Sequence, residues 1–194
     1  MKKKVFYIAI VIVCLCLITA GTVAYFTDED RAHNVITTGA VTISVEEWRI
    51  TENGEMVPYP KDPVEVMPGC DVSKIVTVKN EDEASLVRVS YDIVVMDKDG
   101  NVMELSEEEL NKYIVITPDL ADWEVKAEFD GWYYYKNVLE TGDTTAPLFE
   151  EVSFSAKMGN EFEEATFKVN VVAQAVQAKN NALSAIDAMG WPDE

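Results

Sequence analysis

The chain has 194 residues, 48% of them apolar, which suits one domain with a buried core plus a short appendage and excludes a wholly disordered chain. Acidic residues outnumber basic ones by 35 to 16, and three of the basic ones are Lys2, Lys3 and Lys4, so residues 25–194 carry a formal charge of −22. Such a surface repels nucleic acid and anionic lipid and attracts cations or basic partners; its plainest role is to keep an extracellular protein soluble.

Lys2 to Lys4 form a basic start, residues 5–20 are apolar apart from Thr19, and Thr22, Val23 and Ala24 supply small residues where a signal peptidase reads. Residues 1–24 are therefore expected to be a signal peptide, a helix cut between Ala24 and Tyr25. The alternative is an uncleaved anchor, since residues 5–26 are long enough to cross a bilayer. Membrane contact is expected only through this precursor segment. Cys14 and Cys16 follow Val13 and Leu15, which lack the small side chains that lipidation needs. Cys70 alone remains in the mature chain, so no internal disulfide forms; it follows Pro68-Gly69 in an expected turn.

Residues 25–38 are polar and aperiodic and read as a flexible leader, with Tyr25, Phe26, Val35 and Ile36 as isolated apolar points. A domain over 39–178 follows. Val41, Ile43 and Val45 alternate with polar residues, and a phase shift at Glu46-Glu47 suggests a bulge. Asn53-Gly54 signals a hairpin turn, and Pro58, Pro60, Pro63 and Pro68 exclude a central strand in that stretch. Residues 72–80 read as one strand. Residues 85–96 are the clearest strand, with Val87, Val89, Tyr91, Ile93 and Val95 on one face and Arg88, Ser90 and Asp92 on the other.

Asp99-Gly100 turns the chain, Ser106 to Glu109 fits a capping box that starts a short helix over 107–112, and residues 113–117 form a strand stopped by Pro118. Trp123, Val125 and Ala127 alternate with charges ahead of an Asp130-Gly131 turn and an aromatic return strand. Val152, Phe154, Ala156 and Met158 alternate, as do Ala165, Phe167, Val169, Val171 and Ala173. In the tail, 179–194, Ala182, Leu183, Ile186 and Met189 share one helical face ahead of Gly190 and Pro192. About eight to ten strands at short spacing indicate an all-β antiparallel sandwich with short helices.

No catalytic constellation emerges, and none is assigned. His33 is the only histidine, so a zinc site of the HExxH kind is excluded by count, and a Cys70–His33 pair has nothing to orient it. Asp97 to Asn101 resembles a calcium loop but places Gly100 fourth rather than sixth, so a hairpin turn is the better reading. Weak calcium binding by clustered surface carboxylates stays open, and no other cofactor is expected. Glu107 to Glu109 and Glu150-Glu151 read as solvated faces. The run Trp132 to Tyr135 offers a sugar-stacking platform, but alternation in a strand sends one pair into the core and the other onto the sheet or a partner.

Three features resemble one family: the Ala24-Tyr25-Phe26-Thr27-Asp28 boundary, the Thr38-Gly39-Ala40-Val41 strand start, and Met67-Pro68-Gly69 followed by strand, Asn-containing corner and strand over 72–95. Together they resemble the exported TasA/camelysin family of Gram-positive bacteria. The resemblance implies a jelly-roll-like sandwich, cleavage by a dedicated signal peptidase, and assembly into secreted biofilm matrix fibres in which one subunit's N-terminal segment completes the sheet of the next. The partner would then be a second copy in a head-to-tail homopolymer. Residues 25–38 would be the donor strand, anchored by Tyr25, Phe26, Val35 and Ile36. Camelysin-like relatives have been labelled metalloproteases, an activity for which the residues offer no ligand cluster. "GWPDE" gives no sorting signal, so attachment to the wall implies an accessory matrix or wall-anchoring protein. The competing functions are a monomeric surface module binding carbohydrate or protein, and a surface protease.

Overall fold

The structure, a computed structural model, describes residues 35–37, 41–61, 64 and 66–192. The signal segment, its expected cleavage site at Ala24 and Tyr25, and Phe26 and His33 lie outside the described residues. Among the described residues, no helix is long and apolar enough to cross a membrane.

Among the described residues, eleven strands form three sheets. The largest contains β1 (Val35–Thr37), β6 (Ser85–Met96), β8 (Trp123–Glu124), β9 (Tyr133–Tyr135) and β11 (Thr166–Gln177), in the order β1-β11-β6-β9-β8. A second contains β2 (Ile43–Ile50), β3 (Met56–Pro58) and β5 (Ile75–Asn80), with β2 central; a third contains β4 (Asp71–Ser73), β7 (Ile114–Ile116) and β10 (Glu151–Phe154), with β10 central. Residues 143–150 run alongside β5, where Asn80, Thr145 and Leu148 donate backbone N–H groups to Asp143, Val78 and Val76. This seam joins the two small sheets into one layer. Its inner residues Ile43, Val76, Val152 and Phe154 meet Val87, Val89, Ala173 and Ala175 of the large sheet in one core. The fold is an all-β sandwich, antiparallel throughout except where β1 lies parallel to β11.

The spine is the twelve-residue β6–β11 ladder, from Thr166↔Met96 to Gln177↔Ser85. The inner faces of both strands are apolar at every second position, so a one-residue slip would turn Val87, Val89 and their partners outward. The Asn53-Gly54 hairpin forms as expected, with Gly54 at φ +79°, and proline-bearing β3 stays at an edge. Ser106 and Glu109 complete the capping box of α1 (Glu107–Tyr113), the Glu109 carboxylate accepting from the Ser106 N–H at 3.0 Å. Asp97 caps its own turn, accepting from the N–H groups of Asp99 and Asn101, so the calcium-like stretch is a hairpin turn.

Three expectations are corrected. There is no bulge at Glu46-Glu47: β2 pairs with β5 one to one from Ile43↔Asn80 to Trp48↔Ile75. The phase shift marks a half-covered end of the strand, where Glu47 reaches Lys74 at 2.8 Å. Residues 72–80 are two strands in different sheets, parted at Lys74, which is buried between Glu47 and the Tyr59 ring. The tail forms no α-helix among its described residues, only a 3₁₀ turn at Ala185–Asp187. Asn180 sits at φ +60° and the Asn181 amide bonds Gln177 O, Met189 O and Met189 N–H, so local side-chain bonds replace helical ones. Leu183 and Met189 are consequently exposed.

Candidate assembly edge

Among the described residues, β11 is paired along its whole length on one side and at three positions on the other. β6 takes its whole length, whereas β1 covers only Ala173, Gln174 and Ala175 through Val35, Ile36 and Thr37. Among the described residues, Thr166 to Val172 have no ladder partner on that outer side. Phe167, Val169 and Val171 are half-buried there, while Lys168 and Asn170 are exposed. An open strand edge presents unpaired N–H and C=O groups to any extended chain, and a lysine on it is a usual guard against stray pairing.

The expected donor-strand anchors divide accordingly. Val35 and Ile36 lie in β1 on the edge of their own chain's β11. Tyr25 and Phe26 fall outside the described residues, so the structure brings only the C-terminal pair to the edge. The place of β11 beside β1 and β6 was not readable from its sequence, since alternation shows a strand but not its neighbours.

A groove opens where β11 begins. Val66, Met67, Met158, Phe162, Ala165 and Phe167 supply its apolar lining, and its cavity volume is about 800 Å³. Met67 is 71% exposed. Gly69 at φ +80° makes the turn that lifts this rim, with Cys70 N–H donating to Met67 O at 3.2 Å. Cys70 itself is a half-buried free thiol packed against the core.

The aromatic run is not an exposed platform. Tyr133 and Tyr135 pack on the main core, with Tyr133 stacked on Tyr91 at 5.6 Å and Tyr135 against Trp123. Burial drives the Tyr91 hydroxyl well above the usual tyrosine range, helped by its Tyr133 neighbour. Trp132 and Tyr134 enter a second, smaller core on the outer face of the large sheet, with Leu86, Val176 and Ala185. Arg88, expected on a polar face, is buried in that core. Its Nε and Nη2 donate to Gln174 Oε1 at 2.8 and 2.6 Å, and its guanidinium lies between Trp132 at 4.1 Å and Trp191 at 4.7 Å. The tail therefore seals this face. At its rim Asp130 accepts from Tyr134 Oη at 2.7 Å and pairs with Lys126 at 2.8 Å. Burial works to raise the Asp130 carboxyl, but the bonds from Lys126, Tyr134 and the Trp132 N–H outweigh it and lower the pKa.

Residues 1–80 match the sequence profile of the camelysin metallo-endopeptidase family. The N-terminal region is camelysin-like. The match agrees with the TasA/camelysin resemblance carried by Ala24 to Asp28, Thr38 to Val41 and Met67 to Gly69. No match was found among curated proteins or among solved structures. The camelysin description implies a catalytic metal, but among the described residues no group of three or more His, Cys, Asp or Glu is placed to hold one. The described residues thus do not fit a metal centre.

Proposed function

We propose that this is a secreted subunit of extracellular matrix fibres, built by exchange of the N-terminal arm between copies. The observation that carries this reading is the edge of β11, which takes β1 in parallel at Ala173 to Ala175, so that a segment of the N-terminal arm is an edge strand of the large sheet. A segment that pairs with its own edge pairs equally with the same edge of a second copy, which is a low-cost route to assembly. The donated surface is the arm and the accepting surface is β11, so the contact is heterologous and propagates head to tail.

Cleavage after Ala24 frees the arm. In the precursor, residues 25–38 are tied to the membrane segment and cannot reach a neighbour freely. Burying the two aromatics, at about 150–250 Å² each and roughly 25 cal/mol per Å², contributes several kcal/mol. Ordering the arm costs on the order of 1–2 kcal/mol per residue, so ladder hydrogen bonds, Val35 and Ile36 must also contribute. Assembly then has a critical concentration, and a dedicated signal peptidase controls its start.

Electron microscopy of the mature chain beside one lacking residues 25–38 tests this. Filaments from the first and monomers from the second are expected; filaments from both, or from neither, contradict it. The family description favours a second reading, a surface metallo-endopeptidase. Chelator-sensitive proteolysis by pure mature protein would establish it and its absence would set it aside.

A further inference from the structure

We infer that Tyr91 and Tyr133 are an oxidative cross-linking site, at which the two rings couple into a dityrosine and tie β9 covalently to β6. The inference is independent of arm exchange. Among the described residues this is the one pair of tyrosines whose rings pack together, with centroids 5.6 Å apart and planes 8° from parallel. The hydroxyl oxygens lie 3.5 Å apart, closer than the centroids, so the phenol ends converge. The ring carbons beside those oxygens converge with them, and they are the carbons at which phenoxyl radicals couple. A stacked approach suits the coupling, because the new carbon–carbon bond first forms between ring faces.

The ladder puts the rings there. Val89 of β6 pairs with Tyr133 of β9, so Tyr91, two residues along the same face, is the diagonal neighbour of Tyr133. Both rings are half-buried. On the core side Phe149 is buried and meets Tyr91 edge-on at 5.3 Å. On the solvent side Phe129 is 58% exposed and packs on Tyr133 at 5.3 Å. An electron can leave through this thin cover, whereas the packing keeps a second molecule's tyrosine away from either ring. The exposed Phe129 also leaves room for the rings to hinge as the bond forms. Burial keeps the Tyr91 hydroxyl protonated, so its electron and proton leave together.

The oxidant is hydrogen peroxide acting through a peroxidase. Each tyrosine gives up one electron and its phenolic proton. The two radicals join Cε to Cε, and the hydrogens on those carbons move to the oxygens, restoring both phenols. The chain loses two hydrogen atoms in all, and one hydrogen peroxide is reduced to two waters. The site is placed where a covalent tie is lacking. β9 meets β6 only at Arg88↔Tyr134 and Val89↔Tyr133 among the described residues. Cys70 is the one cysteine after residue 24, so no disulfide forms within the mature chain. The cross-link joins positions 42 residues apart and so restricts the unfolded chain, as a disulfide does.

The test uses the mature chain as a dilute monomer, so its outcome does not depend on filament growth. The protein is treated with a peroxidase and hydrogen peroxide, and the monomer is isolated, digested with trypsin and mapped by mass spectrometry. The expected product joins residues 89–98 to residues 127–136, is two hydrogen atoms lighter than the two peptides, and fragments to a bond between Tyr91 and Tyr133. Tyr91→Phe and Tyr133→Phe each keep the ring and should abolish the dityrosine fluorescence of the monomer, with circular dichroism confirming the fold. Tyr59→Phe should leave that fluorescence unchanged. Oxidation of the urea-unfolded chain should lose the selective product. A folded monomer without the cross-link, a bond at other tyrosines, or an equal yield from the unfolded chain overturns the site.

Discussion

Replacing Arg88 by alanine should destabilise the protein more than any exposed charge change. Arg88 is 8% exposed and its partner Gln174 is 2% exposed. The substitution removes a charge-assisted, two-pronged bond to Gln174 Oε1, which contributes roughly 1.5–3 kcal/mol. It removes cation–π contacts to Trp132 and Trp191, about 0.5–2 kcal/mol each. It also leaves the Gln174 carbonyl buried without this donor, a cost of about 1–3 kcal/mol. These contributions overlap, so about 3–4 kcal/mol is expected rather than their sum. For a domain of this size that lowers Tm by roughly 6–16 °C. Arg88→Lys keeps the charge but loses the planar fork, and should fall between the two. Urea and thermal unfolding followed by tryptophan fluorescence and circular dichroism measure the effect. A loss under about 1 kcal/mol, with near-UV signals unchanged, would refute the idea that Arg88 fastens the tail to the sheet.

Gly69→Ala should cost about 1–3 kcal/mol, because its backbone is left-handed and a new Cβ would lie 3.2 Å from that of Ala156; Gly100→Ala, with the same strain but open space, should cost less in the same denaturation series. The Asp130 carboxyl titrates below its ordinary value, so its contribution is complete above that value and is lost as pH falls through the lowered one. Carbon-detected NMR titration should place its midpoint under the normal aspartate range, and Asp130→Asn should flatten the acid limb of the stability curve. Copies each carrying −22 from residue 25 onward repel, so added salt, mild acid or divalent cations should speed filament growth; fastest growth at low salt and alkaline pH would contradict that.

Local alternation made β6 and β11 legible as strands, because apolar residues fall at every second position in two long runs, but not their pairing or register, which alternation alone leaves free to slip by two. The capping box and the Asn53-Gly54 hairpin were legible for the same reason: the residues that make them are neighbours. The Arg88 cage was not, since Trp132, Gln174 and Trp191 come from three distant segments and alternation alone assigns Arg88 to a wet face. The tail carried a helical pattern that the left-handed backbone of Asn180 and the bonds of the Asn181 amide to Gln177 and Met189 override. At the assembly edge, Val35 and Ile36 stood out as isolated apolar residues, and their strand is real. The groove was invisible, because its two rims lie about ninety residues apart in the chain.

Cross-linking of β1 to β11 inside filaments addresses arm exchange most directly. In a Cys70→Ser background, Val35→Cys and Ala173→Cys place thiols at paired ladder positions, with neighbouring strands close enough to be bridged. Filaments are grown under reducing conditions, oxidised, and run on a denaturing gel without reductant. A ladder of covalent multimers is predicted, together with an inability of monomers oxidised beforehand to polymerise. Filaments whose oxidised chains all migrate as single subunits would contradict the account.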